Sequence, residues 1–217
     1  MDGADLCYFA ERLGLAAPPA RLSPSAQRLL FVEPRCHGAW LPRDVPDSLL
    51  AEAWDLARMG PTSANGSPLR LVLLRGEAEK AALLPMLDRS NREKSRLAPV
   101  VAILAHDVEF WRHLGRLHPH VDASAWFRHD PVLARETAFR NGTLQAAYFM
   151  CALRALGLDI GPLSGFDADA VQAAHLAGTT FEVNFICNIG YGDPADLKPR
   201  LPRLSLKEIV HRPAMRP

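Results

Sequence analysis

The sequence predicts a layered fold of helices and strands, of the α/β or α+β class. Three apolar runs have the length and composition of strands, at residues 69–74, 99–105 and 181–190. The run 99–105 contains no charged or hydrogen-bonding side chain, so we expect a strand that is buried on both faces. Segments with helical spacing lie between the three runs, and such helices pack on a sheet in layers.

Composition indicates a globular protein and argues against several partners. The 217 residues are 48% hydrophobic and 23% charged, and the net charge is +1. A balanced charge provides no attraction to nucleic acid or to an anionic membrane. No apolar run has the length of a membrane span, the N-terminus lacks a basic secretion signal, and the four cysteines form no CxxC pair. We therefore expect a cytoplasmic protein with reduced thiols.

The first part of the chain is predicted to contain short helices around a proline-rich break. One helix is expected before the break at residues 16–24, and another begins near Ser25. Residues 1–22 are interpreted as an N-terminal extension, and residues 23–217 as a single domain. Pro46 and Asp47 then open an amphipathic helix that leads to the strand 69–74.

The connection between that helix and that strand is the most informative stretch. Residues 59–68 read Met-Gly-Pro-Thr-Ser-Ala-Asn-Gly-Ser-Pro, a run of small hydrogen-bonding side chains. Such a loop can present donors and acceptors to a flat polar ligand, although an ordinary helix-to-strand connection has a similar composition.

The second half of the chain is organised around one long helix. Apolar residues recur at helical spacing from Pro131 to Leu158, and after Gly142 they occupy most of the circumference, which predicts deep burial. A turn is expected at residues 161–166, followed by a short helix that Asp167 caps. A further helix is expected over residues 77–87 and a short one near 204–210, within a proline-rich tail.

Three familiar chemistries find little support. Seven histidines and carboxylates crowd residues 106–122, but they match no metal-ligand spacing, so a polar loop is favoured over a metal site. Ser164 lacks the flanking glycines of a nucleophile elbow. Gly190 and Gly192 follow a strand but open no helix, unlike a dinucleotide-binding loop. Arginines offer a better lead, because Arg35 and the pair Arg200 and Arg203 could converge on one phosphate.

Four motifs occur in the order seen in flavin-dependent nitroreductases. The triplet Arg-Cys-His at 35–37 is similar to that family's N-terminal basic triplet, and residues 61–68 resemble its Pro-Ser-x-x-Asn-x-Gln-Pro loop. Residues 157–167 resemble the segment beside the flavin ring. Residues 188–192, with Arg203 after them, resemble its last core strand and C-terminal phosphate contact. The likeness extends from about Ser23 to Val210.

Within this family the chain most resembles the malonic semialdehyde reductase branch, which is linked to pyrimidine breakdown. The likeness lies in residues 60–65, 136–141, 161–167 and 201–205. Three departures from the family pattern bear on the substrate more than on the flavin. Ser67 replaces a glutamine, Ser164 stands where many members have glutamate, and Cys36 replaces a small hydroxyl or basic residue.

The resemblance implies a three-layer α+β fold with a mixed or antiparallel sheet, bound FMN, and NADH or NADPH as reductant. Arg35 and Arg203 would bind the phosphate with His37 beside them. Backbone N–H groups of Ser164 and Gly165 would face flavin N5. The implied cofactor contacts are Arg35, Cys36, His37, Ser63, Asn65, Ser67, Asn91, Lys94, Ser164, Gly165 and Arg203. For Asn91 and Lys94, a solvated loop is an equally good interpretation.

The long helix from Pro131 to Leu158 is apolar on too many faces for a small monomer to cover, which predicts an obligate homodimer with both flavins at the interface. The tail after Gly192 has many prolines and few core-forming residues, so we expect it to wrap the neighbour. Phe139, Tyr148, Phe149 and Met150 would extend the contact surface. The acceptor would be a small carbonyl acid such as malonic semialdehyde, whose carboxylate needs a cation: Arg112, Arg116 or Arg128. A general nitro or quinone reductase and a non-catalytic flavin-binding protein are the alternatives, with a metal-dependent enzyme third.

Overall fold

The computed structural model describes residues 21–211. Its centre is a four-stranded sheet in which every pair of neighbours is antiparallel, with the strand order β1-β2-β4-β3. The strands are β1 (Leu69–Arg75), β2 (Val100–Asp107), β3 (Asp159–Leu163) and β4 (Phe181–Gly190). All residues of β2 are buried, which confirms the strand expected from the continuous apolar run.

Helices cover both faces of this sheet. They are α1 (Pro24–Gln27), α2 (Asp47–Ala57), α3 (Gly76–Lys80), α4 (Arg89–Leu97), α5 (Leu114–Leu117), α6 (Pro131–Ala155), α7 (Ala168–His175) and α8 (Leu206–Ile209). A π-helical turn, Arg28–Val32, follows α1, and short 3₁₀ turns connect several elements. In the described residues no helix is both long and apolar enough to span a membrane.

The three layers follow from the alternation of side chains along the strands. Val100 and Ala102 of β2 face α2 and α6 in a core that includes Phe149 and Leu153. The intervening side chains point to the opposite face of the sheet and join a second core that includes Leu83, Leu87, Val101, Ile103, Val171 and Ile186. The α+β class and the three layers predicted from the resemblance are therefore confirmed.

The long helix begins one residue after its cap. Asp130 Oδ1 accepts a hydrogen bond from the Leu133 amide at 2.9 Å, and Pro131 occupies the first turn, where its missing N–H costs nothing. Asp167 caps α7 in the same way, with 3.0 Å from its Oδ1 to the Ala170 nitrogen. Both helix starts agree with the sequence.

Burial of α6 is less complete than expected. Eleven of its 25 residues are buried. Phe149 is 1% exposed, so it does not extend a contact surface as predicted, whereas Met150 packs on the same core and stays partly exposed. Phe139 and Tyr148 do lie outside, with 52% and 46% of their surface exposed.

Two other local predictions are wrong. The turn expected over 161–166 begins as strand β3, and the helix expected over 77–87 ends at Lys80. The helix predicted before the break at 16–24 lies outside the described residues, as do residues 1–20 of the extension and the last six of the tail.

Candidate functional site

A cationic cleft lies where the C-terminal tail crosses the start of β3. We call it the arginine cleft; it has a volume of about 450 Å³ and its charged lining consists of Arg35, Lys198, Arg200 and Arg203. Cys36 and Ile160 also line it. No acidic side chain is among its lining residues, so the cleft suits an anion such as a phosphate.

Backbone pairing explains why residues so distant in sequence meet there. Cys36 forms a parallel bridge with Ile160 of β3, and the His37 amide donates to the Ile160 carbonyl at 3.0 Å. The tail is tied to the same segment, because the Asp193 amide donates to the Ala39 carbonyl at 3.0 Å. Arg200 then donates to the carbonyls of Val32 (2.6 Å) and Pro34 (2.9 Å).

The predicted phosphate arginines are both in this cleft. The Arg35 guanidinium donates to the Lys198 carbonyl, and the Arg203 guanidinium donates to the carbonyls of Leu201 and Pro202. Each guanidinium carries five N–H donors, so these contacts orient the arginines and leave donors for a ligand.

His37 does not line the arginine cleft. Its ring is buried against Gly192, where an added Cβ would lie 2.0 Å from Nδ1. Its Nε2 lies 3.4 Å from Asp159 Oδ1, and Asp159 also pairs with Arg154. The histidine therefore faces the inside of the protein, where its buried Nδ1 has no partner among the described residues.

The remaining predicted contacts of this region lie around β3 and its far end. The Gly165 carbonyl accepts hydrogen bonds from Asn91 Nδ2 at 2.8 Å and from the Asp88 amide at 3.0 Å. A Cβ at residue 165 would lie 2.4 Å from Asp88 Oδ2, so a larger residue there would displace the Asp88 side chain. Ser164 is exposed beside it, and the Lys94 carbonyl accepts from Trp40 Nε1 at 2.8 Å.

These contacts define an elongated site along one edge of the sheet. Cys36 is bridged to Ile160, and Ser164 lies four residues further along, which is roughly 13 Å of extended chain. A ligand with an anionic group at one end and a flat polar ring at the other matches this spacing.

The loop Ser63–Ser67 forms a second site, with an unusual backbone. Ala64, Asn65 and Ser67 have φ angles of 52°, 54° and 44°, in the left-handed region that costs non-glycine residues about 1 kcal/mol or more each. Side chains of α6 hold the loop: Asn141 Oδ1 accepts from the Ser63 amide at 2.8 Å, and Gln145 Nε2 donates to Ser67 Oγ at 2.9 Å.

A cavity of about 440 Å³, which we call the loop cavity, opens beside Asn65 and Ser67. Four basic side chains line it: Arg58, Arg70, His113 and Arg116. Its apolar walls are Trp54, Met59 and Leu117.

Within one chain the two sites are far apart. Ser63 is held at Asn141, whereas His37 and Asp159 meet at Arg154, thirteen residues further along α6. That difference is roughly 20 Å of helix. In addition, Ser67 precedes the edge strand β1, while Ser164 follows the opposite edge strand β3. The structure thus divides the predicted contacts into two groups.

The start of the histidine- and acid-rich segment makes structural contacts. Asp107 accepts hydrogen bonds from Arg70 and Thr180 at 2.7 and 2.6 Å, and His106 lies 3.6 Å from Glu182. Among the residues that the structure describes, no three histidine, cysteine or acidic side chains are arranged to hold a metal ion.

Some site residues were missed by sequence reasoning. Trp54 lies in the apolar-spaced helix α2 and Arg58 follows its last residue, and their pattern indicates only a packed helix and its end. Arg70 occupies a strand position, and only the fold brings it to the loop cavity. Lys198 stands five residues from Arg203 in a tail already suspected of binding phosphate, a proximity that could have identified it.

The chain is an antiparallel α+β domain with a cationic cleft beside an edge strand. Comparisons with known proteins identify the class more closely. The model of the nitroreductase family matches residues 39–191, more than half of the chain. The chain belongs to the nitroreductase family.

Relatives and solved structures agree with this assignment. A candidate NADH dehydrogenase/NAD(P)H nitroreductase of Burkholderia lata is 50% identical over 189 residues, covering 87% of this chain and 97% of that protein. A candidate nitroreductase in complex with FMN from Exiguobacterium sibiricum has a TM-score of 0.77 at 16% identity, covering 90% and 100% of the two chains. A candidate NAD(P)H:FMN oxidoreductase of Staphylococcus epidermidis has a TM-score of 0.76 at 14% identity, covering 91% and 100%.

Proposed function

We propose that the protein is an FMN-dependent NAD(P)H oxidoreductase of the nitroreductase type. The observation that carries this proposal is the arginine cleft, which opens on the edge strand that leads to Gly165. Family membership and the 50% identical relative, named for NAD(P)H nitroreductase activity, support it.

The residues present fit FMN. Arg35, Arg200 and Arg203 supply forked cationic donors for one phosphate group. Asp88 and Asn91 fill the Cβ side of Gly165 and hold its peptide unit in place beside the exposed Ser164, where a flat ring could meet the backbone. The three arginines suit one phosphate group, and the described residues include no glycine-rich strand-to-helix turn for a second. FMN therefore fits better than FAD.

The chain's own groups have separate tasks in this proposal. Arg35 and Arg203 hold the phosphate. Asn91 and the Asp88 amide fix the Gly165 carbonyl and thereby orient the peptide units around it, whose N–H groups would donate to the ring. Asp159 holds the Gly192 amide at 2.9 Å and so keeps the tail beside the cleft, with His37 as a buried support. Bound FMN supplies the two-electron chemistry between NAD(P)H and the acceptor.

The two separate sites support the predicted homodimer. Because one chain holds the loop Ser63–Ser67 roughly 20 Å from the arginine cleft, a second copy would have to supply that loop to the same flavin. A two-fold dimer does this twice. The exposed apolar residues of α6 and of the tail offer a surface for it: Phe139, Leu144, Tyr148, Leu201, Leu204, Leu206 and Ile209.

The acceptor proposed is a small nitro, quinone or carbonyl compound. The relative's name favours nitro compounds, whereas the motif likeness favours a carbonyl acid such as malonic semialdehyde. Both kinds of acceptor are compared in the same experiment. A flavin-binding protein without turnover is the remaining alternative.

The test begins with the colour of the purified protein. Heat-released flavin should co-elute with FMN on a column, and NADH or NADPH should bleach the bound flavin until nitrobenzene, a quinone or malonic semialdehyde is added. Released FAD, or failure of apoprotein to take up FMN, would refute the cofactor. Bleaching without reoxidation by any acceptor would leave a binding protein. Efficient reduction of nitro compounds, with no reduction of malonic semialdehyde, would exclude a carbonyl acid as the acceptor.

A further inference from the structure

We propose that Arg116 in the loop cavity binds an anionic group, a carboxylate, on the acceptor and thereby selects acidic acceptors over neutral ones of the same shape. This inference rests on the proposed oxidoreductase function and specifies the substrate class.

Arg116 is singled out by comparison with the two other arginines of its segment. Arg112 pairs with Glu109 at 2.7 Å and lies over the Trp111 ring, 5.6 Å from its centroid. Arg128 pairs with Asp122 at 3.1 Å. Neither lines the loop cavity.

Arg116 lines that cavity and has no acidic partner within 4.0 Å among residues 21–211. It is the only one of the three segment arginines with its charge available to a ligand there.

The rest of the lining strengthens the case for an anion. The cavity's other two arginines already have carboxylate partners: Arg58 with Asp55 at 3.1 Å, and Arg70 with Asp107 at 2.7 Å. Those carboxylates do not line the cavity, and no lining residue is acidic. Because Asp55 and Asp107 offset the charges of Arg58 and Arg70, the guanidinium of Arg116 is the one in the cavity lining that has no carboxylate partner among the described residues, and a bound carboxylate would pair with it.

The walls define the body of the ligand. Trp54, Met59 and Leu117 give the cavity the apolar part of its lining, and a volume of about 440 Å³ admits a small molecule. An acceptor with a carboxylate and a compact flat or aliphatic body suits both walls.

Arg116 is tied to the loop that is predicted to face the flavin. Asn65 Nδ2 donates to the carbonyl of Leu117, the neighbour of Arg116, at 2.8 Å. A carboxylate held by Arg116 would thus lie next to Asn65 and Ser67, with the reducible group free to point beyond them.

The test compares 4-nitrobenzoate with 4-nitrobenzamide, a neutral isostere, as acceptors of the FMN-loaded enzyme. Each two-electron turnover oxidises one NAD(P)H and converts the nitro group to nitroso and water, consuming one proton. We expect Arg116→Gln to lower kcat/KM for 4-nitrobenzoate by about tenfold to a hundredfold and to leave 4-nitrobenzamide unchanged. Arg116→Lys should recover part of the loss. Arg112→Gln, which changes a paired arginine outside the cavity, should behave as wild type.

Calorimetric binding of benzoate against benzamide provides a readout without turnover. Wild type should bind benzoate more tightly, and Arg116→Gln should remove the difference. Equal losses on both nitro compounds, or an effect confined to NADPH relative to NADH, would overturn the inference. If the loaded wild type reduces neither compound, the proposed function fails, while benzoate binding still decides the role of Arg116.

Discussion

Arg203 is an arginine of the arginine cleft whose hydrogen bonds stay within its own stretch of the tail. Its guanidinium contacts two carbonyls of its own tail, at 3.0 and 3.1 Å, and it is exposed, so its removal disturbs little packing. We predict that Arg203→Ala weakens FMN binding by about 1.5–3 kcal/mol, or roughly tenfold to a hundredfold, through loss of a charge-assisted contact.

Fluorescence titration of apoprotein with FMN measures this loss. Arg89→Ala removes an exposed arginine outside both cavities and should leave the affinity unchanged. Unaltered FMN affinity in a folded Arg203→Ala protein would exclude Arg203 as a phosphate ligand.

His106 links stability to pH. Burial, opposed in part by Glu182, lowers its pKa from the ordinary 6.5, so the unfolded chain takes up a proton at higher pH than the folded protein does. The free energy of unfolding should therefore fall as pH drops below about 6.5 and level off once folded His106 is also protonated. Burial also lowers the pKa of His175, which therefore contributes to the same pH dependence.

Urea denaturation between pH 7.5 and pH 5 checks this dependence. In the variant His106→Gln the free energy of unfolding should change less with pH than in the wild type. The variant His120→Gln, at an exposed position, should show the pH dependence of the wild type. An unchanged slope in His106→Gln would assign the acid sensitivity to other groups.

Sequence reasoning found the cationic residues better than the supporting ones. Arg35 and Arg203 were expected at one phosphate, and the structure does bring them to one cleft. His37 was expected beside them, but its ring turns inward because Gly192 leaves space for it and Asp159 attracts it. The sequence does not predict either contact, because Gly192 and Asp159 are both distant from His37 along the chain.

At the scale of elements, helix α6 depends on a glycine at its contact with β2. A Cβ at residue 142 would lie 2.8 Å from the His106 Cβ, so the helix can approach the strand only without a side chain there. We predict that Gly142→Ala destabilises the protein by about 1–3 kcal/mol through overpacking, although alanine is the better helix former.

Gly115→Ala is the matched control. This glycine lies in α5, and its added Cβ would have no neighbour within 4 Å. The same substitution should there be neutral or stabilising by up to about 1 kcal/mol. Thermal and urea unfolding of both variants measure the contrast, and equal effects at the two positions would contradict close packing at Gly142.

The secondary structure shows which elements hydrophobic periodicity is sufficient to predict. Strands β1, β2 and β4 and helices α2, α6 and α7 were predicted because hydrophobic period and caps agree. Strand β3 was missed because Gly161 and Pro162 are typical of turns. An edge strand tolerates proline, since one side of it needs no ladder donor, but its position at the edge is a property of the sheet.

At the scale of the whole molecule, we predict a homodimer that releases its flavin when it dissociates into monomers. Leu144 is 48% exposed on α6, so Leu144→Glu should leave the monomer folded while placing charge in the proposed interface. Light scattering of the flavin-loaded wild type should give about twice the 23.9 kDa chain mass. The variant should give the single-chain mass and release its flavin.

Leu97→Glu makes a comparable change at an exposed position of α4 and is the control for added surface charge. An active, flavin-bound wild type near 23.9 kDa would show that one chain builds the whole site.

The roughly 20 Å between Asn141 and Arg154 has a consequence for mixtures of defective proteins. If each flavin takes Arg203 from one chain and Arg116 from the other, Arg203→Ala and Arg116→Gln proteins can complement each other. After subunit exchange, half of the dimers are mixed, and each mixed dimer has one doubly altered site and one intact site. Roughly a quarter of wild-type activity toward 4-nitrobenzoate should then come from the intact sites, above the residual activity of the two weakened parents. Two substitutions of residues that the same chain supplies to one flavin, such as Arg35→Ala and Arg203→Ala, leave no intact site in a mixed dimer and should not complement each other.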